Sequence, residues 1–154
     1  MIILDYNQIA LSNVIMQKLG EEDMIRHMIL NSIRLYTKKF GKEYGEVVIA
    51  SDGKNTWRRD VFPQYKGVRK KKRDESATDW NEIFRIMDTV RNELKEYSHF
   101  TVLNLDGCEG DDITKVLLEL LVIHANGVEN HVANHIFFAE LLHDDVTQCN
   151  LVII

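Results

Sequence analysis

The feature of this chain that most constrains its fold is a short apolar run followed by acidic residues, a pattern that occurs three times. The runs and their acids are 1–4 with Asp5, 47–50 with Asp52, and 100–103 with Glu109, Asp111 and Asp112. Apolar runs this short, without polar alternation, are typical of strands buried in a parallel sheet. The sequence therefore predicts an α/β protein whose strands end near carboxylates.

Segments with helical periodicity separate these runs. A helix is expected after Asp5, another over residues 21–40 with Gly41 as its stop, a third over 80–97 and a fourth over 113–123. The apolar positions of the second are Met24, Ile25, Met28, Ile29, Ile33, Leu35 and Tyr36, and those of the third are Trp80, Ile83, Phe84, Met87, Val90, Leu94 and Tyr97. Strands alternating with helices favour a parallel sheet built from βαβ units.

The last part of the chain predicts a helix around 131–142 and a fourth strand over 151–154. His131 and His135 lie one helical turn apart and could chelate a metal, although partly exposed helix positions are the favoured interpretation. The two cysteines, Cys108 and Cys149, form no metal-ligand spacing, so free thiols are expected.

The acids after the strands are the candidate metal ligands. Because the carboxyl ends of parallel strands share one edge of the sheet, Asp5, Asp52 and the Glu109–Asp112 cluster should converge there. A group of carboxylates suits Mg²⁺ or Mn²⁺ better than zinc, and two such ions can assist phosphodiester hydrolysis. The alternative interpretation is structural, with Asp52 in a turn before Gly53 and Asp111 or Asp112 capping the next helix.

Charge is distributed unevenly along the chain. The net charge is −5, yet residues 58–73 hold eight basic residues and one acid, a charge of 8 − 1 = +7, against 11 − 23 = −12 elsewhere. A compact cationic segment in an acidic protein is typical of phosphate binding. A solvated basic helix or a disordered tract is the alternative.

Aromatic residues interleave with the cations of this segment. Around the single proline, Pro63, residues 54–76 should form a loop that leads into a basic helix or a partly ordered arch. Lys66 and Arg69 could neutralise charge on a reacting phosphate. The predicted nucleic-acid-binding residues are Arg58, Arg59, Tyr65, Lys70, Lys71, Lys72 and Arg73. Trp57 is expected either to stack or to anchor the loop by packing.

The order of these motifs resembles a known family. The motifs are Leu4-Asp5-Tyr6-Asn7-Gln8-Ile9-Ala10-Leu11-Ser12, then Asp52 with Trp57-Arg58-Arg59-Asp60, then residues 65–76 (YKGVRKKKRDES), and finally Glu109-Gly110-Asp111-Asp112. Over about residues 1 to 120 the chain is similar to the T-even phage ribonuclease H and flap-endonuclease-like 5′-3′ exonuclease family. The resemblance implies a resolvase-like (PIN-like) parallel sheet with flanking helices and a basic helical arch at about 54–78.

The resemblance also implies a function and its components. Asp5, Asp52, Glu109, Asp111 and Asp112 would be metal ligands or their water-mediated partners, with two Mg²⁺ or Mn²⁺ ions in a complete enzyme. The expected activity is removal of RNA primers and 5′ flaps during phage replication. Expected partners are DNA or an RNA–DNA hybrid with a single-stranded 5′ end, and a phage single-stranded-DNA-binding protein or sliding clamp.

Residues 1–154 are expected to form one domain, the N-terminal portion of such a nuclease. In the family a Ser-Asp-x-Asp type motif and a helix-hairpin-helix region follow the fourth strand, and neither occurs in this sequence. The expectation is therefore an incomplete form. Two alternatives stay open, a non-catalytic nucleic-acid-binding relative and a PIN-like ribonuclease. No apolar stretch approaches the roughly 20 residues that span a bilayer, so a cytoplasmic location is expected. The resemblance implies that this is the cytoplasm of an infected bacterium.

Overall fold

The protein is described from a computed structural model, which describes residues 1–16, 21–125 and 152–153. Its centre is a parallel sheet of four strands in the order β3-β2-β1-β4. The strands are β1 (Ile2–Asp5), β2 (Val47–Ser51), β3 (Thr101–Asn104) and β4 (Val152–Ile153). All the pairings are parallel, with Ile2 opposite Val47 and Val48 opposite Thr101. The predicted α/β class and parallel sheet are confirmed.

Six helices are described along the chain. They are α1 (Tyr6–Met16), α2 (Glu22–Tyr44), α3 (Arg58–Val61), α4 (Gly67–Asp74), α5 (Trp80–Tyr97) and α6 (Gly110–Ala125). Helices α1, α2 and α5 pack on one sheet face, where Ile2, Leu4 and Ile49 are buried, and α6 covers the opposite face at Ile3 and Ala50. Covering of both faces agrees with the apolar runs in the strands, 2–4, 47–50 and 102–103, and the polar residues of β1 and β2 stand at their carboxyl ends.

Helix α2 differs from its prediction at the C-terminal end. The expected stop at Gly41 is wrong, because the helix continues to Tyr44 and ends at Gly45. Gly45 has a φ of +82°, and its N–H donates to the Gly41 carbonyl at 2.9 Å. A residue without a Cβ adopts this left-handed conformation at little cost, so Gly45 terminates the helix and Gly41 is tolerated inside it.

The buried faces of α2 and α5 are narrower than the apolar patterns suggest. In α2, Ile25, Ile29 and Ile33 are buried, whereas Met24 and Leu35 are exposed. Helix α5 begins after Asp79, whose carboxylate accepts hydrogen bonds from the first-turn N–H groups of Asn81 and Glu82. Its buried residues are Ile83, Ile86, Met87, Val90 and Leu94, and its exposed apolar residues are Phe84 and Tyr97.

Other boundaries shift by a few residues. Strand β3 begins at Thr101, one residue later than predicted, and α6 begins at Gly110 rather than 113. Cys108 is a free thiol, as expected. The predicted helix at 131–142, with His131 and His135, lies outside the described residues, as does Cys149. Within the described residues, no helix combines the length and the apolar character that crossing a membrane requires.

Candidate metal and nucleic-acid site

The carboxyl ends of β1, β2 and β3 open onto one cleft of about 890 Å³. Four of the five predicted metal-ligand residues line it, namely Asp5, Asp52, Glu109 and Asp111. They come from three successive strand ends, since Asp5 closes β1, Asp52 follows β2, and the loop after β3 delivers Glu109 and Asp111. The parallel register therefore brings together side chains that are up to about a hundred positions apart in sequence.

Two backbone hydrogen bonds join the loop after β2 to the loop after β3. The Gly53 N–H donates to the Cys108 carbonyl at 2.8 Å, and the Gly107 N–H donates to the Lys54 carbonyl at 2.7 Å. A Cβ atom on Gly53 would lie 1.8 Å from the Leu105 carbonyl oxygen. Only glycine allows this close backbone approach. The loops after β2 and β3 are thereby held at a fixed separation.

Asp52 is held in position by three hydrogen-bonded neighbours. Its Oδ1 accepts from the Gly110 N–H at 2.8 Å, its N–H donates to Asn7 Oδ1 at 3.1 Å, and its carbonyl accepts from Asn104 Nδ2 at 2.7 Å. Asn7 also accepts from the Ser51 hydroxyl at 3.0 Å. Asn7 and Asn104 were missed by the sequence analysis, although an amide side chain beside each strand end was a visible signal.

The carboxyl group of Asp5 is partly buried beside two other acids of the cleft. Burial raises the pKa of its carboxyl above the ordinary value, and the neighbouring carboxylates of Asp52 and Asp111 raise it further. The Gln8 N–H donates to Asp5 Oδ1 at 3.0 Å and works in the opposite direction. Mutual repulsion of this kind is what a bound cation relieves.

Glu109 is buried and pairs with two residues of the segment between β2 and α5. Its carboxylate accepts hydrogen bonds from Lys66 Nζ at 2.9 Å and from the Tyr65 hydroxyl at 3.0 Å. Burial alone would raise the pKa of Glu109, but these two bonds and the charge of Arg58 hold it below the ordinary value. Lys66 has a φ of +56°, a left-handed conformation that is uncommon for a residue with a Cβ.

Asp112 lies outside the cleft and is engaged in structural contacts. Its Oδ2 accepts from the Glu109 N–H at 2.8 Å, which caps the start of α6 as the third helical residue of a capping box does. Both of its oxygens also accept from the Arg58 guanidinium, at 2.6 and 2.8 Å. These contacts match the capping alternative that the sequence left open for this residue.

The segment expected to form the arch, residues 54–78, contributes cations to the same cleft as the acids. Those lining the cleft are Lys54, Arg59, Lys66, Arg69, Lys72 and Arg73. Of the other predicted nucleic-acid-binding residues, Arg58 and Tyr65 contact the acids, whereas Lys70 and Lys71 are exposed and do not line the cleft. Trp57 is 48% exposed, with the Arg58 guanidinium 4.9 Å from its ring centroid.

Three further cleft residues were not singled out as site residues by the sequence. Trp80 and Phe84 line the wall formed by α5. Thr56 also lines the cleft, and in the described part of the chain its hydroxyl is the one buried side-chain polar atom without a hydrogen-bond partner. The described part of the chain contains no group of three or more His, Cys, Asp or Glu side chains close enough together to hold a metal ion.

A sequence relative agrees with the family resemblance. The chain is 35% identical over 140 residues to the ribonuclease H of Enterobacteria phage T4, a match that covers 81% of this chain and 46% of that protein. The chain is therefore a sequence relative of this ribonuclease H, in agreement with its resemblance to the T-even phage ribonuclease H and 5′-3′ exonuclease family. It spans about half the length of the curated relative that it matches. No family model matches the chain.

Solved structures agree with this family on the fold. The bacteriophage T5 5′-exonuclease with bound zinc ions matches with a TM-score of 0.63 at 18% identity, covering 80% of this chain and 45% of that one. A substituted T5 flap endonuclease in complex with DNA and metal ions gives 0.62 at 17% identity, covering 80% and 44%. The resolvase-like sheet expected from the sequence is therefore confirmed.

Proposed function

We propose that this chain carries the catalytic cleft of a divalent-metal-dependent 5′-nuclease, a phosphodiesterase that acts on single-stranded 5′ ends. The observation that supports the proposal best is the cleft itself, which is lined both by carboxylates from three strand ends and by cations of the arch segment. Neither half would be sufficient alone, because acids without cations repel a phosphodiester and cations without acids bind it without assisting hydrolysis. The phage relatives of this chain are named ribonuclease H, 5′-exonuclease and flap endonuclease.

The donor set of the cleft fits Mg²⁺ or Mn²⁺. Asp5, Asp52, Glu109 and Asp111 offer carboxylate oxygens, and the pKa of Asp5 is raised by its burial and by the neighbouring carboxylates of Asp52 and Asp111. Mg²⁺ usually retains several waters and needs only one or two carboxylates, so a compact group of three acids is not required. Such a cation supplies positive charge that stabilises the attacking and leaving oxygens of the phosphodiester.

The arch residues would bind and orient the strand. Lys66 and Arg69 line the cleft together with the acids and are the proposed partners of the scissile phosphate. Lys66 now pairs with Glu109 at 2.9 Å. A phosphate entering the cleft would compete with this carboxylate for the ammonium group of Lys66. A bound metal cation would then compensate the negative charge of Glu109. Arg59, Lys72 and Arg73 would contact the neighbouring phosphates.

The proposed substrates are an RNA primer or DNA flap with a free 5′ end, in DNA or an RNA–DNA hybrid. The resemblance to phage nucleases supports phage replication, in the cytoplasm of the infected bacterium, as the setting of this proposed activity. A phage single-stranded-DNA-binding protein or a sliding clamp is the proposed protein partner. The relative named flap endonuclease is bound to DNA and metal ions, which supports the substrate class.

The test uses the purified chain, a 5′-flap substrate and Mg²⁺, with chelator as the blank. Cleavage is expected to require the metal and to fall by at least two orders of magnitude in Asp52→Asn, as removal of a group that acts in the transition state does. Binding of the flap in chelator should be retained or tightened, because the substitution removes negative charge. Glu46→Gln is the matched control, since it makes the same charge change at the opposite, amino edge of the sheet.

The outcomes separate the proposal from its two rivals. A chain that binds the flap but does not cut it at any enzyme concentration is a nucleic-acid-binding module, and the claim of catalysis is then wrong. Cleavage at internal RNA positions without dependence on a free 5′ end would indicate a PIN-like ribonuclease. Cleavage that Asp52→Asn leaves intact would refute the assignment of this cleft.

A further inference from the structure

Two aromatic side chains of α5, Trp80 and Phe84, line the same cleft as the acids. Trp80 and Phe84 lie one helical turn apart, with ring centroids 6.1 Å apart and planes inclined by 35°. The acids that line the cleft come from the end of β1 and from the loops after β2 and β3. Aromatic rings in a cleft lined by carboxylates are not needed to bind phosphate, so they require a separate explanation.

Core packing explains only part of this pair of rings. The buried side of α5 is supplied by Ile83, Ile86 and Met87, whereas Phe84 is 42% exposed. Trp80 is partly buried, and its indole N–H donates to the Ser76 hydroxyl at 2.7 Å. That bond satisfies the polar edge of the indole, so the ring offers apolar surface to the cleft.

One cation lies close to both rings. The Arg73 guanidinium lies 5.9 Å from the Trp80 ring centroid and 5.7 Å from that of Phe84. Arg69 and Lys72 line the cleft beside it. Aromatic rings for bases combined with cations for the backbone are the arrangement by which proteins hold single-stranded nucleic acid. An apolar protein segment would gain nothing from this concentration of charge.

We propose that Trp80 and Phe84 form a base-stacking site for one unpaired nucleobase of the substrate strand, with Arg73 placed to bind the phosphate of the same nucleotide. The proposal rests on the proposed function for its substrate class. Phe84 also lines a second, adjoining cleft of about 370 Å³, so the stacked base would lie where the strand passes from one cleft to the other. Stacking tolerates any base, so little sequence preference is expected.

The test compares a base-containing with a base-free strand. The chain has two tryptophans, so Trp57→Phe leaves Trp80 as the single indole. In this background, and in chelator to prevent cleavage, tryptophan fluorescence is titrated with oligothymidylate and with an abasic oligomer of equal length. Thymidylate should quench Trp80 and bind on the order of 10-fold more tightly than the abasic strand.

Phe84→Leu retains apolar bulk without the aromatic ring and should remove most of this discrimination. Phe84→Tyr retains the ring and should preserve it. Tyr97→Leu is the matched control, because Tyr97 is an exposed aromatic residue at the far end of α5 and outside the cleft. Circular dichroism checks that each variant folds, and Phe84→Tyr keeps the test decisive if Phe84→Leu does not.

Equal affinity for the two oligomers, or binding of neither, would overturn the stacking site. So would a preference for thymidylate that Phe84→Leu leaves intact. Failure of this proposal is distinguishable from failure of the proposed function, because Mg²⁺-dependent flap cleavage is measured separately. A chain that cuts the flap but binds both oligomers equally is a nuclease without this site.

Discussion

Replacement of Arg58 by methionine should destabilise the protein, because it removes the ion pair that connects α3 to α6. Arg58 begins α3, and its guanidinium donates two hydrogen bonds to Asp112, at 2.6 and 2.8 Å. It also lies 3.6 Å from the buried carboxylate of Glu109. Methionine fills similar apolar volume but leaves both acids without this partner. The expected result is a lower free energy of unfolding.

The magnitude follows from the degree of burial. The side chains of Arg58 and Asp112 are 24% and 21% exposed. A fully exposed pair contributes about 0–1 kcal/mol, whereas removing one partner of a buried pair costs about 3–5 kcal/mol. The intermediate exposure places the expected loss at about 2 kcal/mol. For a chain of this length, that loss lowers Tm by about 4–8 °C.

Urea unfolding followed by circular dichroism measures this loss. The midpoint should fall while the m-value stays unchanged, because the surface exposed on unfolding is the same. Arg59→Met is the matched control, since it removes an equal charge from the adjacent, exposed position, and its effect should stay within about 0.5 kcal/mol. A double-mutant cycle with Asp112→Asn should give a coupling energy of about 1–2 kcal/mol.

The cost should also depend on pH with a defined sign. Burial works against ionisation of Asp112, but the hydrogen bonds from Arg58 and the Glu109 N–H hold its pKa below the ordinary 3.8. A carboxyl whose pKa is depressed on folding stabilises the protein above its unfolded pKa, and this is lost as the pH falls through its folded pKa. The difference between the native and Arg58→Met proteins should therefore shrink below about pH 3.8.

Either of two results would refute this reasoning. If Arg58→Met is no less stable than Arg59→Met, the ion pair contributes nothing to stability. If the loss is real but constant down to the lowest pH at which the protein folds, it arises from apolar packing of the arginine stem rather than from the charge of Asp112.

Three further predictions concern the supports of the cleft. Gly53→Ala should cost about 3 kcal/mol or more in urea unfolding, because a Cβ would lie 1.8 Å from the Leu105 carbonyl oxygen; a change under about 1 kcal/mol would contradict that closeness. Tyr6→Phe should cost about 1–2 kcal/mol, since the buried Tyr6 hydroxyl donates to the Met87 carbonyl at 2.6 Å, and an unchanged midpoint would argue against the bond. Asp5→Asn should raise Tm by a few degrees in chelator at neutral pH, because the pKa of Asp5 is raised on folding and its charge is destabilising above that pKa. Calorimetry at several pH values should find this gain absent below pH 3.8, the ordinary pKa, and a gain that persists there would contradict the electrostatic cause.

Much of the fold was determined by local sequence pattern. The runs at 1–4, 47–50 and 100–103 lie within one residue of observed strands. A strand that is covered on both faces of the sheet is apolar on both sides, and this produces a short continuous apolar run in the sequence. The error at Gly41 has a physical cause of the same kind. A glycine is permitted in either state, so its type alone does not distinguish the end of a helix from its interior.

The composition of the candidate site was also available in the sequence. Acids at strand ends and a +7 segment at 58–73 defined its two halves, because topology brings parallel strand ends to one edge whatever the details of packing. The division of roles among the acids was not available. Asp111 and Asp112 are adjacent and chemically identical, yet only Asp111 lines the cleft, while Asp112 caps α6 and pairs with Arg58.

What only the tertiary structure decided was which side chains meet. The pairing of Lys66 with Glu109 joins residues 43 positions apart, and the bonds of Asn7 to Ser51 and Asp52 join strand ends 44 and 45 apart. Periodicity reports which face of an element is apolar, but it carries no information on distances between elements. For the same reason Phe84 reads as core in the sequence and stands exposed in the cleft, since its surroundings are set by the arch and the strand ends rather than by its own helix.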